Sequence, residues 1–301
     1  MPPHQSFKLD IKGPFDFQRA FQDVTRAPFQ LTEIVRDNAM SGVFPVGLAL
    51  VGANIQASGS IDRPQIRISW ETLAGGVDPR EVETYFHALF QTQVDLRQFY
   101  AHVSDDPVMQ ALTKKLYGFT FLRKHSFFEA IATAIIDQQL NVAFATALRK
   151  RFINHYGRKM TWQGTGYAIF PQPGDLECVT PEDLRPLQFS QRKAEYILDI
   201  AGALRERTLR PEALAGLDDV ALLQALMTLR GVGRWTAEYV GMMAFGRVDF
   251  LPAADIGLQR AIQLLCKLPE RPTEAEVRTR GEAWKPFRGL ATFYLWHALE
   301  A

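Results

Sequence analysis

Two glycines separated by a single residue, Gly231 and Gly233, constrain this chain of 301 residues more than any other feature. Upstream, VALLQALMTL carries apolar residues at helical spacing, with Asp218 or Asp219 as its N-cap. Downstream, a second helix-compatible stretch begins at Arg234-Trp235. Glycine accepts the backbone angles of a sharp reversal, so Gly231 ends the first helix and Gly233 opens the second. The N–H groups at the new helix start have no intrahelical partners, and a phosphate can come close where glycine has no side chain. An ordinary helix–turn–helix corner without a ligand fits the same two glycines.

Residues beyond the turn narrow the choice. Trp235 and Tyr239 are four residues apart and share a helix face. A proline-marked loop then leads to Asp255, 22 residues beyond Gly233. Asp255 precedes IGLQRAIQLL, where it suits an N-cap. LRGVGRWTA resembles the hairpin of the helix–hairpin–helix DNA glycosylase superfamily, which includes endonuclease III and 3-methyladenine glycosylase II. The spacing to PAADIGLQR, and AWKPFRGLATFYLWHAL at 283–299, are most similar to the AlkA branch, the alkylbase glycosylases. The resemblance covers residues 105–299 firmly and the first third loosely.

The resemblance implies a role for each of these residues. Asp255 becomes the catalytic carboxylate, stabilising the positive charge that builds on the sugar as an N-glycosidic bond breaks. Bifunctional members carry a lysine where Trp235 stands, and that lysine forms a Schiff base. Tryptophan there implies hydrolysis without strand cleavage. Trp235, Tyr239 and Trp296 are the implied base pocket, and electron-rich rings suit a cationic alkylated purine. Plain core packing is the alternative for Trp235 and Trp296.

Gln139 aligns with the residue that fills the gap left by a flipped base, and Leu140 is the neighbouring candidate for this wedge. A purely structural role for the glutamines is the alternative. Gly231, Gly233, Arg230, Arg234 and Lys193 are the implied DNA contacts, although Arg230 stands where related hairpins have proline. Related hairpins also bind a monovalent cation through backbone carbonyls, here those of Met227, Leu229 and Val232. No other cofactor is expected. The isolated Cys178 and Cys266 cannot build the four-cysteine iron–sulfur site of the endonuclease III branch.

The periodicity divides the chain. Residues 1–104 read as an α+β domain, an antiparallel sheet of short strands with helices near Phe17 and over Pro79–Phe90. Its His4, His87 and His102 lack metal-ligand spacing. Residues 105–301 read as a mostly α-helical glycosylase region of two helical subdomains, with the hairpin at 229–235. Ser126-x-x-Glu129 opens a helix expected to run to about Tyr156, with Gln138 and Gln139 inside it. Ser190 and Thr273-x-x-Glu276 open others, Pro286 begins the last, and 157–174 is the longest irregular stretch.

Composition sets limits. Hydrophobic content of 47% and charged content of 22% are those of a soluble globular protein. Without an 18-residue apolar run or a signal-peptide pattern, a cytoplasmic location is expected. Net charge is +1, with 9 basic and 11 acidic side chains in residues 1–104 and 25 and 22 in the rest. That balance excludes a polybasic grip and predicts modest, salt-sensitive affinity for DNA. The expected partner is damaged double-stranded DNA, with no membrane and no obligatory protein partner. The expected activity is monofunctional removal of N3- or N7-alkylated purines, leaving an abasic site. A non-catalytic helix–hairpin–helix DNA-binding protein and a glycosylase for oxidised or deaminated bases are the alternatives.

Overall fold

The computed structural model describes residues 5–26, 33–36 and 38–298, so His4 lies outside the described residues. Five antiparallel strands form the N-terminal sheet: β1 (Gln5–Leu9), β2 (Glu33–Arg36), β3 (Ala39–Val46), β4 (Ala49–Ser60) and β5 (Arg63–Ala74), in the order β1-β5-β4-β3-β2. β4 and β5 are 12 residues each, longer than the glycines and prolines within them suggest. Gly59 and Pro64 are tolerated because they pair with each other next to the Ile61-Asp62 turn that closes the β4–β5 ladder.

Alternation along the strands assigns the two faces. Phe44, Val51, Ile55, Ile68 and Trp70 face α1 (Phe17–Arg26) and α2 (Pro79–Leu89) in one buried core. Val43 and Leu50 point the other way.

The helical region comprises α3 (Leu96–His102), α4 (Pro107–Lys115), α5 (Phe127–Asp137), α6 (Val142–Tyr156), α7 (Pro181–Leu184), α8 (Gln191–Arg205), α9 (Pro211–Ala215), α10 (Asp219–Met227), α11 (Arg234–Phe245), α12 (Ile256–Leu265), α13 (Glu274–Gly281) and α14 (Arg288–Ala298). Pro286 lies in the turn before α14 rather than within it. Leu96, Phe99 and Val103 pack in the core of the helical region, and Phe90 in the core under the sheet.

Two expectations fail here for local reasons. The helix capped by Ser126 stops at Asp137, and a new one starts at Val142 with Asn141 as its N-cap. Gln139 between them is left-handed, φ 56°. The 157–174 stretch contains a hairpin, β6 (Arg158–Trp162) and β7 (Thr165–Ile169), closed by Gln163-Gly164, both at positive φ. That pair suits the two-residue turn that matches strand twist.

This hairpin lies on the outer face of the N-terminal sheet, where Trp162, Tyr167 and Ile169 pack with Val43 and Leu50. A Cβ on Gly52 would come within 2.6 Å of the Trp162 ring, so only glycine permits this approach. Trp162 Nε1 also donates to Glu71 Oε1 at 2.7 Å.

A second seam joins the sheet to the helices. His125 Nε2 contacts Glu33 Oε1 at 2.7 Å, and its Nδ1 shares a 2.7 Å hydrogen bond with the Tyr85 hydroxyl. Burial would push the imidazole down, but the carboxylates of Glu33 and Glu129 outweigh it and hold His125 above its ordinary value.

Candidate active site

The hairpin forms as the glycine spacing predicts. α10 is capped by Asp218, whose side chain accepts the Ala221 N–H at 2.8 Å. Gly231 turns the chain at φ 83°, and a Cβ there would meet the Tyr196 ring at 2.1 Å. Gly233 is the N-cap of α11, and being glycine it brings no side chain to the first N–H groups of that helix.

Asp255 is the N-cap of α12, its Oδ1 accepting the Leu258 N–H at 2.7 Å. The same carboxylate accepts two indole N–H groups. Trp235 Nε1 donates to Oδ2 at 3.0 Å, and Trp296 Nε1 donates to Oδ1 at 2.9 Å. Trp235 lies in the first turn of α11 and Trp296 near the end of α14, so three elements meet at one carboxylate.

Tyr239 stacks on Trp235, ring centroids 5.8 Å apart and planes 24° from parallel. Burial, reinforced by the charge of Asp137, pushes the Tyr239 phenol far up, so it stays neutral. All three aromatic candidates therefore gather around Asp255, and all are half-buried rather than sealed in the core. Such a site can hold an anion beside aromatic faces, which suits a cationic ring and a developing positive charge.

The cationic candidates are engaged within the protein. Arg230 reaches Glu195 Oε2 at 2.6 Å and Asp199 Oδ2 at 3.0 Å. Arg234 pairs with Glu238 Oε1 at 3.0 Å. Lys193 turns inward, its Nζ donating to the carbonyls of Ile136 at 2.6 Å and Gln138 at 2.7 Å. Its ammonium therefore closes the C-terminal end of α5 instead of standing free as a phosphate contact.

Gln139 is exposed at the turn between α5 and α6, while Leu140 is half-buried against the core. Both lie at a helix break and not in mid-helix. For a cation at the hairpin, Met227 is the last residue of α10 and the Leu229 carbonyl accepts the Val232 N–H at 3.0 Å. A carbonyl oxygen has a second lone pair, so that bond leaves Leu229 able to serve as a neutral ligand.

Gln138 takes the structural role left open for the glutamines, and Glu238 is the residue the sequence did not single out. Gln138 donates to the Gly231 carbonyl at 2.9 Å and to Thr236 Oγ1 at 2.8 Å. Glu238 is buried under the hairpin helix and bonded by both Arg234 and Arg278. The i,i+4 spacing of Arg234 and Glu238 was its visible signal.

Residues 132–286 match the HhH-GPD superfamily of base-excision DNA repair proteins, about half of the chain. This chain belongs to that superfamily. Within it, a DNA-3-methyladenine glycosylase of Bacillus subtilis is 33% identical over 219 residues, covering 73% of this chain and 72% of the relative. Among solved structures, a 3-methyladenine DNA glycosylase from Archaeoglobus fulgidus superposes with a TM-score of 0.80 at 25% identity, over 96% of this chain and 97% of that one. The Schizosaccharomyces pombe 3-methyladenine DNA glycosylase in complex with abasic DNA has a TM-score of 0.58 at 27% identity, covering 68% and 97%. Membership extends to the architecture, since the Archaeoglobus structure matches both the sheet and the helices.

Proposed function

We propose that this HhH-GPD protein is a monofunctional DNA glycosylase that releases alkylated purines, such as 3-methyladenine or 7-methylguanine, from duplex DNA in base excision repair. The observation that carries the reading is one carboxylate, Asp255, held by two indole donors where a Schiff-base lysine would otherwise stand. Support comes also from relatives bearing 3-methyladenine in their names and from one solved with abasic DNA.

The mechanism is built on this geometry. The N-terminus of α11 and the hairpin backbone receive a phosphate, with Arg230 and Arg234 exchanging carboxylates for DNA. The target nucleotide leaves the stack, and Gln139 or Leu140 takes its place. An alkylated purine carries positive charge and is attracted to the faces of Trp235, Tyr239 and Trp296. Its C1′–N bond breaks, the bonding pair neutralising the departing base while positive charge passes to the sugar. Asp255 stabilises that charge and orients the water that forms the new C1′–O bond, accepting the proton that water gives up.

The ring stack with Tyr239 and the bonds to Leu258 and both indoles hold the carboxylate before substrate arrives, which avoids reorganisation during the reaction. The carbonyls of Met227, Leu229 and Val232 would hold a monovalent cation that screens the phosphate; the hydrolysis itself needs no cofactor.

The test is base release from duplexes containing 3-methyladenine or 7-methylguanine, with Asp255→Asn as control. Release by the wild type and its loss in the variant are expected. Unaltered DNA would leave a DNA-binding protein, and a strong preference for 8-oxoguanine or uracil would replace the alkylated substrate.

A further inference from the structure

Three polar ties converge on the turn between α5 and α6, and none of them belongs to the base pocket. Gln138 ties it to the hairpin through the Gly231 carbonyl and to α11 through Thr236 Oγ1. Lys193 ties it to α8 through the carbonyls of Ile136 and Gln138. Arg149 ties it to α6, its Nη1 donating to Asp137 Oδ2 at 2.6 Å.

The hairpin in turn rests on α8. The missing Cβ of Gly231 is what lets its backbone lie against Tyr196, three residues along the same helix from Lys193. The turn at 138–141, the hairpin at 229–233 and the first half of α8 therefore form a closed triangle of contacts. Gln139 projects from it, exposed and left-handed. A non-glycine residue in that conformation persists when its surroundings over-determine it, and here the residues on either side are bonded or packed.

We infer that Gln138 and Lys193 are positioning residues that lock the Gln139–Leu140 tip to the hairpin, so that anchoring the DNA backbone also seats the wedge. The inference rests on the glycosylase reading. Neither residue touches the pocket aromatics or Asp255 through a hydrogen bond. Their contribution is therefore confined to opening the duplex. A lesion whose base is already unpaired needs less of that work.

The experiment measures single-turnover release of 7-methylguanine from two duplexes, one with cytosine opposite the lesion and one with an abasic-site analogue opposite. The full-length wild type, Gln138→Leu, Lys193→Met and Lys193→Arg are compared. Gln138→Leu and Lys193→Met are expected to lose at least about tenfold on the paired duplex and less than about threefold on the unpaired one. Lys193→Arg, which keeps the charge and several donors, recovers most of the paired rate.

A 2-aminopurine beside the lesion should brighten with the wild type and stay dim with the two disruptive variants. A general folding defect depresses both duplexes alike, so the ratio between them carries the answer. Equal losses on the two duplexes, or no loss on the paired one, overturn the inference. If the wild type releases base from neither duplex, the glycosylase reading fails and takes the inference with it.

Discussion

Replacing Asp255 with asparagine changes more than charge. Aspartate presents two acceptor oxygens, whereas asparagine presents one acceptor and one donor. With its oxygen kept on Leu258 and Trp296, the new amide group points at the Trp235 N–H, donor against donor. The reverse orientation opposes two donors and is worse. An unsatisfied buried donor costs about 1–3 kcal/mol. Trp235 and Asp255 are half-exposed and water relieves part of this, so about 1 kcal/mol is expected in this setting.

For a chain of this size that is a fall of roughly 1–2 °C in Tm. Trp235→Phe in the same background removes the opposing donor and keeps an aromatic face. The double variant should then be more stable than the sum of the single effects by about 1 kcal/mol, while base release stays down by about a hundredfold or more. Calorimetry of the four proteins and single-turnover release measure both quantities. Additivity within about 0.3 kcal/mol would refute the indole–carboxylate bonds as energetic contacts. Full activity in Asp255→Asn would refute the catalytic assignment.

Two further outcomes concern the turn and the domain seam. Gly231→Ala places a methyl group into the Tyr196 ring at a left-handed backbone position. Strain and overpacking together should cost about 2–5 kcal/mol and weaken DNA binding, read by thermal unfolding and by titration with undamaged duplex; an unchanged Tm would mean the turn relaxes freely. His125 is raised in the folded state, so its stabilisation is full below the unfolded value of about 6.5 and fades as pH rises through the folded value. Wild-type Tm should therefore fall more steeply from pH 6 to pH 9 than that of His125→Gln, and parallel slopes would rule this out.

Local chemistry was readable where it carried its own punctuation. The Gly231-Val232-Gly233 turn, the Asp218 and Asp255 caps and the Trp235–Tyr239 face are all encoded by residues within one or two helical turns. The Trp296–Asp255 bond spans 41 residues and is set by the packing of α12 against α14, which no local pattern encodes.

The break at Gln139 was hidden because no glycine or proline lies between Ile131 and Leu148 to mark it. Asn141 was the one local clue, as a residue suited to an N-cap. The β6–β7 hairpin was hidden because its strands are five residues long and β6 opens with the charged pair Arg158-Lys159. Lys193 shows the opposite limit, since sequence reveals a cation but not that carbonyls have claimed it.

The placement of that hairpin has a consequence for how the protein is made. During synthesis the sheet is complete once β5 emerges, yet the strands that cover its outer face end at Ile169. At 5–20 residues per second, roughly ninety more residues take on the order of 5–20 s. Through that interval Val43, Leu50 and neighbouring apolar side chains have no cover from their own chain, and the sheet is open to nascent-chain chaperones or to aggregation.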